Sequence, residues 1–370
     1  MTSLLTRSNS PKIRIHQLLS QEDNCKHRAR KYAIDTLTMA PSRYAASHVK
    51  PHGPGDSRPT ALQIVKDEQM EGSLSNKVVI ITGCSSGLGI ETARAMKATG
   101  ATLFVTARNL EKARTALGDI LDGGSVHLLK LDLGSLDSVC ACVAEFKAKS
   151  DKLNVLIENA GIRNVPAGKT EDGFELHWGT NHLGHFLLFQ LLKPTLLESS
   201  DKAFQSRVII VSSTAHRNAP MDFGDLNWKK RSYDGLLAYG QSKLANVYTA
   251  SEIERRYGSQ GLHAWSVHPG GIRTGLQRPS LADVVIIVKS GVMNSLNVMM
   301  NAEQGASTSV WAAISKDLEG QGGKYLERNQ ISQPRKQKGF TPIDPGYVEW
   351  TYDEEKAKKL YDESISLIGL

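Results

Sequence analysis

Tyr239 and Lys243 stand four residues apart in the stretch YGQSK, a spacing that puts both side chains on one face of a helix. A free phenol, with a pKa of about 10, transfers protons poorly at neutral pH. An ammonium group beside it stabilises the phenolate and brings the tyrosine into the range of general acid–base work. Ser213 follows an apolar run ending at Val211 and would supply a hydroxyl across from a reacting oxygen. A tyrosine and a lysine at this spacing recur by chance, so the weight of the pair rests on the segments that precede it.

The first of these is Lys77 to Gly89, KVVIITGCSSGLG. An apolar run of strand length ends at Thr82, glycines follow at Gly83, Gly87 and Gly89, and a helical pattern opens at Ile90. One glycine is needed for a backbone conformation other residues resist, one to let a pyrophosphate approach, and one to pack helix on strand. The loop Gly83, Ser85, Ser86, Gly87, Leu88 and Gly89 would then face phosphates with the free N–H groups of a helix start. The spacing is TGxxxGxG and not GxGxxG, and glycine-rich turns also serve as plain punctuation.

From Lys77 onward, strand candidates Val78–Thr82, Thr102–Thr106, Val126–Leu131, Leu153–Ile157, Val208–Val211 and His263–Val267 alternate with helical patterns. This alternation predicts a single α/β domain: a doubly wound Rossmann fold with a parallel sheet, whose ligands sit beyond the carboxyl ends of the strands. Residues of interest fall at those ends. Arg108 follows the second strand, where an enzyme preferring NAD would carry an acid for the ribose hydroxyl. A guanidinium suits a 2′-phosphate, so NADP(H) is the expected cofactor; the alternative is a solvated surface arginine beside Lys112 and Arg114. Asp132 follows the third strand, within reach of an adenine edge. Asn159, Ala160 and Gly161 follow the fourth and leave room for the cofactor. A long amphipathic helix is predicted from about Phe174 to Leu197, with Asn181, His182 and His185 on it. The two histidines have no third ligand at a suitable spacing, so packed or capping roles are expected of them and no metal.

The chain has 370 residues with 40% hydrophobic and 22% charged, ordinary for a soluble globular protein. Of the net charge of +7, residues 1–70 hold eleven Lys/Arg against six Asp/Glu; the remainder is close to neutral, which is no footprint for nucleic acid. Residues 1–70, rich in Ser, Arg, Lys and His and containing PHGPGDSRP, are expected to form a disordered basic leader that can be removed without loss of folding or turnover. Residues 71–370 would form the domain. Met39 is a candidate internal start. Four cysteines give no disulfide framework, and a reducing compartment, the cytoplasm, is expected, with mitochondrial targeting by the leader as the alternative. No run of 18 apolar residues suggests a membrane span.

Six ordered stretches, TGCSSGLG, NAG (159–161), NHLGHF (181–186), VSS (211–213), YGQSK and HPGGIRT (268–274), resemble the short-chain dehydrogenase/reductase family. Within it, KTEDGFELHWGTNHLGHF, DFGDLNW and DPGYVEWTYDEEKAKKLY look like the retinol-dehydrogenase-like and WW-domain oxidoreductase-like group, in its fungal form. The resemblance implies that Tyr239 is the general acid in reduction and the base in oxidation. Lys243 would depress its pKa and bind the nicotinamide ribose, Ser213 would bind the carbonyl oxygen, and Asn181 would hold a water in a proton relay. Pro269, Gly270, Ile272 and Thr274 would sit beside the nicotinamide. It also leaves a homo-oligomer open, through the helices carrying Asn181 and Tyr239. Two departures stand out. Glu158 replaces the first Asn of the family's NNAG, where an effect on packing is expected, and Arg163 stands where an apolar residue is common, as a surface residue or a selector of an acidic group.

In this family the segment from about 274 to 301 is the substrate lid, and here it is rich in Val, Ile, Leu and Met. Such side chains either pack on the core or line a dry, adaptable cavity, so the expected substrate is a hydrophobic ketone, aldehyde or secondary alcohol. The expected activity is NADP(H)-dependent carbonyl reduction in secondary or lipid-like metabolism. A cofactor-binding regulator or interaction protein, and a double-bond or epimerising enzyme on the same scaffold, are the competing readings.

Overall fold

The computed structural model describes residues 41–272, 292–335 and 343–370. Short runs rich in Val, Ile and Leu, mostly buried except at the edge strand β3, form β1 (Val78–Ile81), β2 (Thr102–Ala107), β3 (Val126–Lys130), β4 (Val155–Glu158), β5 (Ser206–Val211) and β6 (Leu262–His268). β-Branched residues suit such a sheet because both of its faces must be covered. Two short strands that the apolar pattern does not reveal, β7 (Tyr325–Glu327) and β8 (Gln330–Ile331), extend it. The order is β3-β2-β1-β4-β5-β6-β7-β8, parallel except for β8, which pairs antiparallel with β7.

Helices cover both faces. On one side α1 (Ala61–Asp67), α2 (Leu88–Ala98) and α3 (Leu110–Leu117) pack on Val79, Ile81, Leu103 and Val105. On the other, α4 (Leu136–Lys147), α5 (Gly184–Glu198) and α6 (Gly235–Tyr257) cover Ile80, Leu156, Val208 and Ile210. Towards the C-terminus follow α7 (Val292–Val298), α8 (Ala302–Gly305), α9 (Ser307–Ile314) and α10 (Glu354–Leu367). Of these, α9 joins the first face and Tyr361 of α10 the second. No helix among the described residues is long and apolar enough to cross a membrane.

One expectation is corrected. The unpacked leader does not extend to residue 70, because Arg43–Leu370 forms one compact unit. Thr60 caps α1 by accepting from the Gln63 amide, and Ala61, Ile64 and Val65 fall on one face, the latter two fully buried against α9 and α2. Burying two such side chains is worth about 1.5–3 kcal/mol each, so this helix is integral to the core. The helix expected over 174–197 is present from Leu176 to Glu198, unbroken, with a π turn at Gly179–Leu183 leading into α5. A Cβ on Gly184 would collide with the Leu133 carbonyl, so glycine is what lets the chain approach so closely there.

Candidate active site

Asp234 caps α6 by accepting from the amides of Leu236 and Leu237, which starts the helix four residues before Tyr239. Tyr239 and Lys243 are then one turn apart and both buried. Ser213 leaves the end of β5 in an extended conformation, its Oγ accepting from the Ala215 amide at 3.2 Å, and its side chain lies close enough to Tyr239 to pull the phenol's pKa down. Lys243 Nζ donates to the Val211 carbonyl at 2.9 Å, which ties the lysine to the same strand end.

The π turn carries Asn181 to this cluster. Its Oδ1 accepts from the Ile162 amide at 2.8 Å, and its Nδ2 donates to the Ile162 carbonyl and to Ser242 Oγ, both at 3.0 Å. π turns concentrate at working sites because the widened turn re-aims a side chain and frees backbone groups. Gly161 lies between the partners: a Cβ there would come within 3.2 Å of Asn181 Oδ1 and 3.4 Å of Lys243 Nζ.

The electrostatics differ in one respect from the expectation. Burial raises the Tyr239 phenol above its ordinary value, while the Ser213 side chain and the Arg163 guanidinium pull it back. Lys243 Nζ stands 5.8 Å from the Tyr239 ring centroid, as near as the Arg163 guanidinium, and is engaged by Val211. Burial pushes the lysine itself down to about 8, with Glu158 acting in the opposite direction. Glu158 ends β4, paired in register with Ile210 of β5, and its Oε1 is buried without a hydrogen-bond partner. Burial lifts its carboxyl well above the usual range. It is therefore an ionisable neighbour of the lysine as well as a packing residue. Arg163 stands 5.8 Å from the Tyr239 ring centroid and is partly exposed.

At the glycine loop, Gly83 has φ +77° and Gly87 φ +60°, and a Cβ on Gly89 would run into the Gly83 carbonyl. Ser85 and Ser86 lie on the outer part of the turn and Leu88 opens α2. Asn159 Nδ2 donates to the Thr82 carbonyl at 2.8 Å and the Ala160 amide to Thr82 Oγ1 at 2.9 Å, which locks β4 to β1 beneath the loop. Thr82 Oγ1 also meets His185 Nε2 at 2.9 Å, while His182 Nε2 meets Ser364 Oγ at 2.8 Å. Both histidines are thus packed, and no cluster of His, Cys, Asp and Glu suited to a metal occurs among the described residues. Arg108 is exposed just past β2, and Asp132, just past β3, accepts from the Gly134 amide at 2.9 Å. Pro269 and Gly270 follow β6, and Ile272 forms a bridge with Met300. Thr274 and most of the expected lid, residues 273–291, lie outside the described residues.

The sequence reading named the four clustered residues but not their supports, Ile162, Val211 and Ser242. Glu158 carried a visible signal, a lone acid closing the apolar run NVLI.

Residues 77–284 match the short chain dehydrogenase family. The chain is 43% identical over 329 residues to the short-chain dehydrogenase/reductase prx1 of Penicillium roqueforti, covering 89% of this chain and 95% of that one. It is 39% identical over 257 residues to retinol dehydrogenase 12 of Mus musculus, covering 68% and 78%. An uncharacterised protein of Mycobacterium paratuberculosis, known as a crystal structure, superposes with a TM-score of 0.59 at 33% identity, over 84% of this chain and 96% of that one. A fold of this topology, with a match across more than half its length, makes this chain a member of the short-chain dehydrogenase/reductase family, whose members bind a nicotinamide cofactor.

Proposed function

We propose that the protein is an NADP(H)-dependent carbonyl reductase that converts a hydrophobic ketone or aldehyde to its alcohol, acting in the cytoplasm. The observation that carries this reading is that Asn181 and Lys243 meet beside Gly161, with Tyr239 one turn before Lys243 and Ser213 near Tyr239. The residues present suit the cofactor: Gly83, Gly89 and Gly161 leave little or no room for a Cβ against Ala160, the Gly83 carbonyl, Asn181 and Lys243, so the backbone there stays bare. Gly83, Ser85, Ser86, Gly87, Leu88 and Gly89 would hold its pyrophosphate, Arg108 its 2′-phosphate and Asp132 its adenine edge. Asn159, Ala160 and Gly161 would floor the cleft, and Pro269, Gly270 and Ile272 would face the nicotinamide. When bound, NADPH supplies the hydride.

The chain's own residues handle the oxygen and the proton. Ser213 and Tyr239 hydroxyls would bind the carbonyl oxygen, and the Tyr239 phenol would release its proton to that oxygen as the alcohol forms. A phenol carries its proton at neutral pH, the form in which Tyr239 would donate to the oxygen as the alcohol forms. Lys243 would steady the resulting phenolate, and Asn181 would hold a water that returns a proton. The hydrophobic substrate class draws support from the apolar composition of residues 274–301 and from a relative named for retinol.

The test is NADPH oxidation, followed by absorbance with a panel of apolar ketones and aldehydes, for the wild type and Tyr239→Phe. General acid catalysis of this kind is worth about 10²–10⁴-fold, and a loss of that size with NADPH binding retained is expected. Equal turnover by both proteins refutes the assignment.

A further inference from the structure

Arg58 lies in the PHGPGDSRP stretch, ahead of the family match, yet its side chain is only 3% exposed. A buried guanidinium must have its donors satisfied, and this one does. Nε donates to Asp56 Oδ1 at 2.7 Å, Nη1 to the Val298 carbonyl at 2.8 Å, and Nη2 to the carbonyls of Met299 at 2.6 Å, Gly53 at 3.0 Å and Asn297 at 3.4 Å. Its targets include the end of α7 and the residues just after it, where a helix leaves carbonyls without partners and a cation is favourable.

Asp56 and Gln304 complete the attachment. Gln304 Oε1 accepts from the Gly55 amide at 2.9 Å, and its Nε2 donates to Asp56 Oδ1 at 3.1 Å and to the Arg58 carbonyl at 3.2 Å. Asn301 caps α8 by accepting from the Gln304 amide at 2.9 Å. The same stretch meets the candidate site from the other side. The Met300 amide donates to the Gly271 carbonyl at 2.8 Å, and Met300 bridges Ile272. A Cβ on Gly271 would come within 3.1 Å of Met299 Sδ, one on Gly270 would collide with Met300, and one on Gly305 would press on Ile272 and Leu88. Residues 297–305 therefore stand between two attachments, the Arg58 knot outside and the Gly270–Ile272 turn and glycine loop inside.

We propose that Gly53–Arg58 is a clasp that fixes one wall of the active site. Arg58 is a positioning residue: it holds Asn297–Met300 against Gly270 and Gly271, where the nicotinamide half of the cofactor and the carbonyl substrate would meet under the function proposed above. The segment is thus a specificity element, although it lies far from the acid–base residues in sequence and touches none of them.

The experiment compares full-length wild type, Arg58→Met and Arg58→Lys by amide hydrogen exchange without added ligand, then by steady-state kinetics. Local opening should raise exchange of the Met300, Gly305 and Ala306 amides by about tenfold or more in Arg58→Met, and less in Arg58→Lys, with β4 and β5 unchanged. The KM for an apolar ketone should rise more than kcat falls. If Arg58→Met fails to fold, Asp56→Asn, which keeps one acceptor oxygen for Arg58 and Gln304 but loses the charge and the acceptor of the His52 amide, is read by the same measures. Unchanged exchange, or a rise spread evenly over the sheet, overturns the clasp, and a local rise with KM unaltered overturns its positioning role. A wild type inactive on every ketone refutes the functional reading instead, and exchange alone then decides the clasp.

Discussion

Acidification from pH 7 to pH 5 should cost the protein a large part of its stability, and the reason is four buried imidazoles. His48, His182, His185 and His216 are at most 6% exposed. Burial pushes His48 down to about 4 and the other three to about 3. In the unfolded chain each takes up a proton at about pH 6.5. Between that pH and the folded values the unfolded state binds more protons, so stability falls as pH falls, by about 1.4 kcal/mol per unit for each histidine. Integrated from pH 7 to pH 5, one histidine is worth about 2 kcal/mol and four about 8. Glu158 acts in the opposite sense: with its carboxyl lifted, the folded state holds a proton that the unfolded state lacks, which offsets up to one histidine. Carboxylates whose affinity for protons is lowered, such as Asp56 and Glu175, lose their contribution only below about pH 4.5. The net loss of about 5–8 kcal/mol compares with a total of about 5–15 for a typical domain. Urea unfolding at pH 7, 6 and 5 measures it directly. Equal midpoints at pH 7 and pH 5, with unchanged m, would refute the claim that these histidines are held neutral.

Arg108→Ala should weaken NADPH by about 10- to 100-fold, the worth of a charged hydrogen bond, and NADH hardly at all; equal losses in a binding titration remove the 2′-phosphate assignment. Ile64→Ala should cost about 2–5 kcal/mol, as for other large-to-small core changes. With unfolding entropy of about 2.1 cal/mol/K per residue, that lowers Tm by about 3–7 °C, and an unaltered melt would place α1 outside the cooperative unit. Arg163→Met removes a charge that draws the Tyr239 phenol down, so the alkaline limb of the kcat/KM profile should move to higher pH. A limb that stays in place, or moves to lower pH, contradicts that role.

What the sequence disclosed was local in origin. The glycine loop after β1 and the Tyr239–Lys243 spacing are readable because each is fixed by the geometry of one strand, one turn or one helix. The parallel sheet followed from regular alternation of apolar runs and helical patterns. Residues 43–70 misled because Pro, Gly and charge at PHGPGDSRP read as loop composition. Their order depends on Val298 and Gln304, more than two hundred residues away, and on α9 beneath Ile64. β7 and β8 are three and two residues long, too short for any periodicity. The approach of Arg163 to Tyr239 and of Glu158 to Lys243 is a product of strand register and helix docking, which no single stretch encodes.

The attachment of Arg58 to residues 297–299 also bears on how the chain is made. Val298 follows Arg58 by 240 residues. At about 5–20 residues per second, a ribosome delivers that partner roughly 12 to 48 seconds after Arg58 is joined. Until then Ile64 and Val65 have no α9 to lie against and Asp56 has no Gln304 to meet. Gly53–Val65 therefore leaves the ribosome early and is among the last parts of the domain to dock. During synthesis its apolar helix face waits uncovered until α9 is made.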